Sequence, residues 1–188
     1  MLNTVAATGA AMLAWLLVER VRNGHATSLG AASGIIAGLV AITPACSAVD
    51  PLGAMAIGAI ASAACAYAVS LKYRLGYDDS LDVVGLHLVA GLIGSLFIGF
   101  FATSSAPAGV NGLFYGGGSD QLVKQAIASF AVLGYSLVAT WLIATVIDRT
   151  MGFRITQEAE TTGIDLAVHA ESSYEIGSQG ATRGGYAS

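Results

Sequence analysis

Residues 81–102 read LDVVGLHLVAGLIGSLFIGFFA, and this stretch decides the fold. As a helix rising 1.5 Å per residue it extends about 33 Å, enough to cross the ~30 Å hydrocarbon core of a bilayer. Only Asp82 and His87 within it carry ionisable side chains of the Asp, Glu, His, Lys or Arg kind. It is too long for a strand and lacks apolar–polar alternation. Working outward, four more stretches share its character: residues 2–18, 29–49, 52–71 and 122–147. Five such spans predict an all-α, polytopic membrane helical bundle. A porin-like barrel would show ten-residue alternating segments instead.

Composition points the same way. Of 188 residues, 55% are hydrophobic and 11% charged, with a mean hydropathy of +0.70. An average soluble domain carries about 25% charged residues. So few charges cannot cover a water-soluble globule of this size. High hydrophobicity and a net charge of -4 exclude disorder. Eight Lys and Arg residues cannot build a nucleic-acid-binding face. The two cysteines, Cys46 and Cys65, lie in apolar runs and read as small packing residues, with no CxxC spacing to suggest zinc. No metal and no cofactor is expected.

Charge sets the expected orientation. Arg20 and Arg22 follow the first span, unlike a signal peptide, whose basic residues come first. Lys72 and Arg74 lie between spans three and four, and Arg149 and Arg154 follow span five. Loop two–three has no basic residue, and loop four–five has only Lys124. The positive-inside rule places the N-terminus outside and the C-terminus in the cytoplasm. Residues 1–151 form the expected membrane region of a multi-pass cell-membrane protein. Residues 152–188 form a cytoplasmic tail whose last part, 178–188, looks flexible.

Small residues mark the expected seams. Gly30, Gly34 and Gly38 recur every four residues, with Ser33, Ala37 and Ala41 one face over. Ala54, Gly58, Ser62 and Ala66 repeat the pattern in span three, and such spacing lets helix backbones approach closely. Pro44 removes a backbone donor and should kink or end span two. Asp50-Pro51 marks the turn into span three.

His87 stands apart from the other histidines, His25 and His169. It lies inside span four, about two turns from its start. An ionisable group there is costly and faces a cavity or a partner. Gly91 and Gly94, at i+4 and i+7, put open space or another backbone on its face. The alternative is a histidine hydrogen-bonded to a neighbouring helix as packing glue. Asp78, Asp79, Ser80 and Asp82 cluster at the start of the same helix, where carboxylates cap free N–H groups. Asp82 could also shape the inner mouth of a pathway. Neither GxSxG nor HExxH occurs, so no enzyme is expected. An intramembrane Ser–His dyad would need Ser33, Ser62 or Ser95 to face His87.

Two stretches carry a resemblance. Residues 33–46, SGIIAGLVAITPAC, and residues 78–87, DDSLDVVGLH, resemble signature runs of the Amt/MEP ammonium transporter family. The tail from Gly152-Phe153-Arg154 through Gly163-Ile164-Asp165 to His169-Ala170-Glu171-Ser172-Ser173-Tyr174 resembles that family's cytoplasmic C-terminal region. The resemblance implies that these spans correspond to the last five of eleven, with six spans and the first of two pore histidines missing. It implies that His87 is the inner pore histidine, that Val83 lines the pore toward the cytoplasm, and that Thr43 is a conduit-side residue. Asp79 and Asp82 would form the pore helix N-terminus. Gly152, Arg154, Gly163, Asp165, His169, Glu171 and Tyr174 would belong to a regulatory tail. It implies ammonium or ammonia as substrate, a homotrimer when complete, and a PII-type signal protein as a possible cytoplasmic partner. The chain alone is expected not to conduct. The competing reading is a non-transporting membrane remnant or interaction subunit.

The chemistry suits a histidine. Ammonium matches potassium in size and charge, but it can give up a proton. A bare cation in an apolar pore costs several kcal/mol in lost solvation, whereas neutral ammonia avoids most of that. An apolar pore favours neutral imidazole, whose two nitrogens can donate and accept at once.

Overall fold

The computed structural model describes residues 1–171, in which helices joined by turns and loops make up the fold and one isolated bridge pairs Val49 with Ala102. Tyr174 and residues 178–188 lie outside the described residues. The first helix, α1 (Leu2–Asn23), outlasts its expected end at residue 18. It stops at Gly24, whose positive φ of 79° lets its N–H return to the Arg20 carbonyl. Arg20 and Arg22 sit in the last turn, at the negative end of the helix dipole. Glu19 then seals the turn. Its carboxylate accepts from Trp15 Nε1 at 3.3 Å and from the Thr27 backbone at 2.8 Å. Thr27 Oγ1 in turn accepts from the Gly30 N–H at 2.8 Å, capping the next helix.

That helix, α2 (Ser28–Ile42), corrects the expected span of 29–49. Its 15 residues extend only about 22 Å, short of a bilayer core. Pro44 is the reason: it has no N–H to continue the ladder, and residues 43–48 form turns. Non-helical backbone in an apolar setting must find partners elsewhere, and it does. Asn3 Nδ2 donates to the carbonyls of Cys46 (2.9 Å) and Val49 (2.7 Å). Thr103 and Ala108 N–H groups reach the carbonyls of Ala48 and Ser47 at 2.9 and 2.8 Å.

Next comes α3 (Pro51–Ala68), capped by Asp50, which accepts from Gly53 N–H at 2.7 Å. A short α4 (Leu71–Leu75) follows. The expected span 81–102 is present with narrower bounds, residues 84–101. A π-helical turn (Val84–Leu88) leads into α5 (Val89–Phe101). Beyond it, α6 (Asp120–Thr150), α7 (Gln157–Thr162) and α8 (Ile164–His169) complete the described chain. Among the described residues, four segments are long and apolar enough to cross a membrane: α1, α3 with α4, the π-turn with α5, and α6. The chain divides into two compact units, residues 1–134 and 135–188.

The expected small-residue seams hold the first unit together. A methyl placed on Gly34 would lie 2.8 Å from Trp15 Cβ and 3.1 Å from the Ala11 carbonyl oxygen. One on Gly38 would meet the Thr8 backbone at 3.0 Å, and one on Gly58 the Ala7 backbone at the same distance. Ser62 is fully buried and donates to the Ala11 carbonyl at 2.7 Å. The core is therefore mostly alanine, with Ala7, Ala11, Ala37, Ala41, Ala54 and Ala61 fully buried. Close backbone approach replaces large side chains.

Candidate pore-lining site

The site is built from the turn that precedes the π-helix. Asp79 is the working cap. Its two carboxylate oxygens accept from the N–H groups of Val83 (2.7 Å) and Val84 (2.9 Å). Asp82 does not cap, which corrects that reading of it. Its backbone is left-handed, with φ of 56°, and its side chain pairs with Lys72 Nζ at 2.8 Å. Aspartate tolerates this conformation better than most residues. The same ammonium group donates to the Asp79 carbonyl at 2.9 Å. Lys72 thus ties α4 to both acidic residues. Sequence reasoning used Lys72 only as a topology-setting charge, and no local pattern links it to a residue ten positions on.

The capped turn delays the helix. Regular winding starts at Val83–Val84 rather than Leu81, so His87 lies one turn into its helix, not two. The π-turn holds His87 as its fourth residue. The ring is exposed on the bundle surface and makes no hydrogen bond among the described residues. Among the described residues it is therefore not glue between helices, and no serine hydrogen-bonds to it; Ser62 is committed to Ala11. Val83, one turn earlier, is 50% exposed, and Val84 and Leu88 flank the ring with comparable exposure. The two glycines expected beside His87 divide the work. Gly91 faces open space, with nothing within 4 Å of a methyl placed on it. Gly94 rests on the backbone of Ala41 in α2.

Val83 and His87 therefore share one short stretch of helix. Thr43 is also exposed, at the end of α2, two residues beyond the Ala41–Gly94 contact. Its hydroxyl donates back to the Leu39 carbonyl at 2.6 Å. Val83 and His87 present an apolar surface with one imidazole, and Thr43 is exposed separately at the end of α2. Such a surface can admit a small neutral hydrogen-bonding molecule and discourages a bare cation.

At the other end of α5, four aromatic rings cluster. Phe100 and Phe101 lie 5.6 and 5.2 Å from Phe114, and Phe97 joins both. Tyr115 donates to Asp50 at 2.8 Å, which pushes its phenol pKa up. Cys46 is exposed in the 43–48 turn, which corrects its reading as a packing residue, whereas Cys65 is buried as expected.

The second unit holds the tail residues. Gly152 takes a positive φ of 80° just after α6, and Gly163, at 103°, separates α7 from α8. Arg154 is exposed. Asp165 lies in the first turn of α8 and His169 ends it, and the Glu171 N–H returns to the Asp165 carbonyl at 3.1 Å.

Comparison with known proteins follows this geometry. Residues 1–174 match the family model described as Ammonium Transporter Family. An ammonium transporter of Mycobacterium tuberculosis is 57% identical over 180 residues, covering 93% of this chain and 38% of that protein. One from Corynebacterium glutamicum is 48% identical, covering 95% of this chain and 39% of the other. Among solved structures, Candida albicans Mep2 superposes with a TM-score of 0.75 at 32% identity, over 84% of this chain and 36% of that one. A structure titled Sensor Amt Protein gives 0.77 at 29% identity, over 89% and 40%. The chain spans about two-fifths of the length of the curated relatives it matches.

Proposed function

The chain belongs to the ammonium transporter family, a multi-pass membrane family, and on that premise we propose that it supplies the inner wall of an ammonium conduit, with His87 as the residue that meets the cargo. One observation carries this reading. An imidazole stands in an apolar helix with no partner of its own, flanked by exposed valines and the open face at Gly91. A histidine in that setting would face lipid at high cost unless other parts of a conduit covered it. Ammonium would shed its proton at an outer site, and ammonia and that proton would both move inward past His87, whose ring donates one hydrogen bond and accepts another. Potassium has no proton to shed and would carry its full desolvation cost.

The rest of the proposal follows from loop charge and the family. The N-terminus lies outside, and Arg20, Arg22, Lys72 and Arg74 face the cytoplasm together with Arg154. The complete protein is a homotrimer, and the tail from Gly152 through Glu171 is where a PII-type signal protein would dock. Residues 152–188 form the regulatory segment of the cytoplasmic side.

The test uses a complete transporter carrying this segment, reconstituted in liposomes. His87→Ala should abolish selective ammonium current. Retention of wild-type current with potassium still excluded would reduce His87 to a packing residue. The 188-residue chain alone should give no ammonium uptake, because it leaves the His87 face uncovered.

A further inference from the structure

The turn that carries His87 is held from behind by a thiol. Cys65 is fully buried in α3. Its Sγ lies 3.8 Å from the Leu86 carbonyl oxygen, within reach of a weak S–H donor. Here the ladder is offset by the π-turn. The Val89 N–H is shared between the carbonyls of Leu86 and Val84. A π-turn disturbs the regular pairing of backbone groups, and those groups need partners in an apolar setting. The thiol sits where it can donate to the Leu86 carbonyl, which also accepts from the Val89 N–H.

The same contact fixes direction. Leu86 and Ala90 are buried against the bundle. Gly85, beside them, rests on Val69, 2.9 Å from a methyl placed on it to Val69 Cα. One residue over, His87 and Gly91 face outward. Were the π-turn to relax to a plain α-helix, residues before it would rotate by roughly 100° relative to α5, one residue's worth of winding. His87 would then leave the open face.

We propose that Cys65 is a positioning residue for His87: its thiol holds the π-turn at the Leu86 carbonyl and so keeps the imidazole on the open face. The importance of that placement rests on the conduit reading. The thiol contact itself does not.

The test uses the 188-residue chain in lipid nanodiscs. Infrared spectra would compare the wild type with Cys46→Ala and Cys65→Ala. The two S–H bands should separate, with the Cys65 band at lower wavenumber because it is hydrogen-bonded, and that band should be the one lost in Cys65→Ala. In chain labelled at histidine, the His87 ring resonances should shift in Cys65→Ala and return toward wild type in Cys65→Ser, which restores a donor. A Cys65 band coincident with the Cys46 band, or unmoved His87 resonances in Cys65→Ala, would overturn the proposal. If Cys65→Ala fails to insert, the band position in Cys46→Ala decides alone. None of these measurements involves transport. A current that survives His87→Ala would therefore sink the conduit reading and leave the thiol contact standing.

Discussion

Gly94→Ala is the perturbation that best separates packing from pore in this helix. A methyl on Gly94 would overlap the Ala41 carbonyl oxygen and lie 2.8 Å from the Ala41 carbonyl carbon and 2.9 Å from its Cα. All three atoms are backbone, so no side chain can swing aside. The two helices must part by roughly an ångström to restore ordinary contact. Overpacking costs about 1–3 kcal/mol, and a clash with backbone belongs near the upper end. Alanine recovers about 1 kcal/mol over glycine through helix propensity. The balance is a loss of about 2 kcal/mol. Gly91→Ala is the control on the same helix. Nothing lies within 4 Å of its added methyl, so only the propensity gain remains and stability should hold or rise. Unfolding of the chain in mixed detergent micelles, followed by helical circular dichroism, measures both. In a complete transporter the order should reverse for conduction. Gly91→Ala narrows the face beside His87 and should slow ammonium flux while the fold stays intact. A Gly94→Ala variant as stable as wild type would refute the claim that α2 and α5 meet backbone to backbone.

Two further outcomes follow from the polar contacts at the helix ends. Asp79→Ala removes the acceptor for Val83 and Val84 N–H and should cost about 1 kcal/mol, the usual value of a lost N-cap. Hydrogen exchange should quicken at those two amides, and Asp79→Asn, with one acceptor oxygen left, should fall between. Tyr115 donates to Asp50, and its pKa is raised by that bond. A raised folded pKa means its contribution is full below about pH 10, the unfolded tyrosine value, and is lost as pH rises through the folded one. Wild type should therefore be more stable than Tyr115→Phe at neutral pH, and thermal melts should show the difference closing in alkali. A difference that persists at high pH would show that the hydroxyl does not donate there.

What the sequence discloses depends on how many residues share a signal. Hydropathy sums over some twenty positions, so the spans at residues 2–18, 52–71 and 122–147 were legible although their ends moved by several residues. The glycine and alanine stripes were legible for the same reason: each repeats along a helix, and Gly34, Gly38 and Gly58 all meet backbone or Cβ as the spacing implies. Pro44 also spoke clearly, because a missing donor acts at one known place. Its effect was larger than a kink, since the whole of 43–48 leaves the helix and borrows Asn3, Thr103 and Ala108 as donors. None of those three lies within reach of a local pattern.

The site region shows why single bonds escape such reading. Four polar residues at 78–82 all suit a helix start, and composition cannot rank them. Geometry does, because one carboxylate can accept two successive N–H groups only from outside the helix, where Asp79 stands. Lys72 neutralises Asp82 and grips the Asp79 carbonyl, so the left-handed residue and the cap are stabilised together. That arrangement moves the helix start to Val83–Val84 and brings His87 a full turn closer to its mouth. A ring one turn in, on a π-turn pinned by Cys65, is closer to the Asp79 and Lys72 charges than hydropathy alone suggests. The turn and the imidazole therefore form one mechanical unit, in which a change at Lys72 or Asp79 reaches the ring through backbone and needs no contact with the cargo.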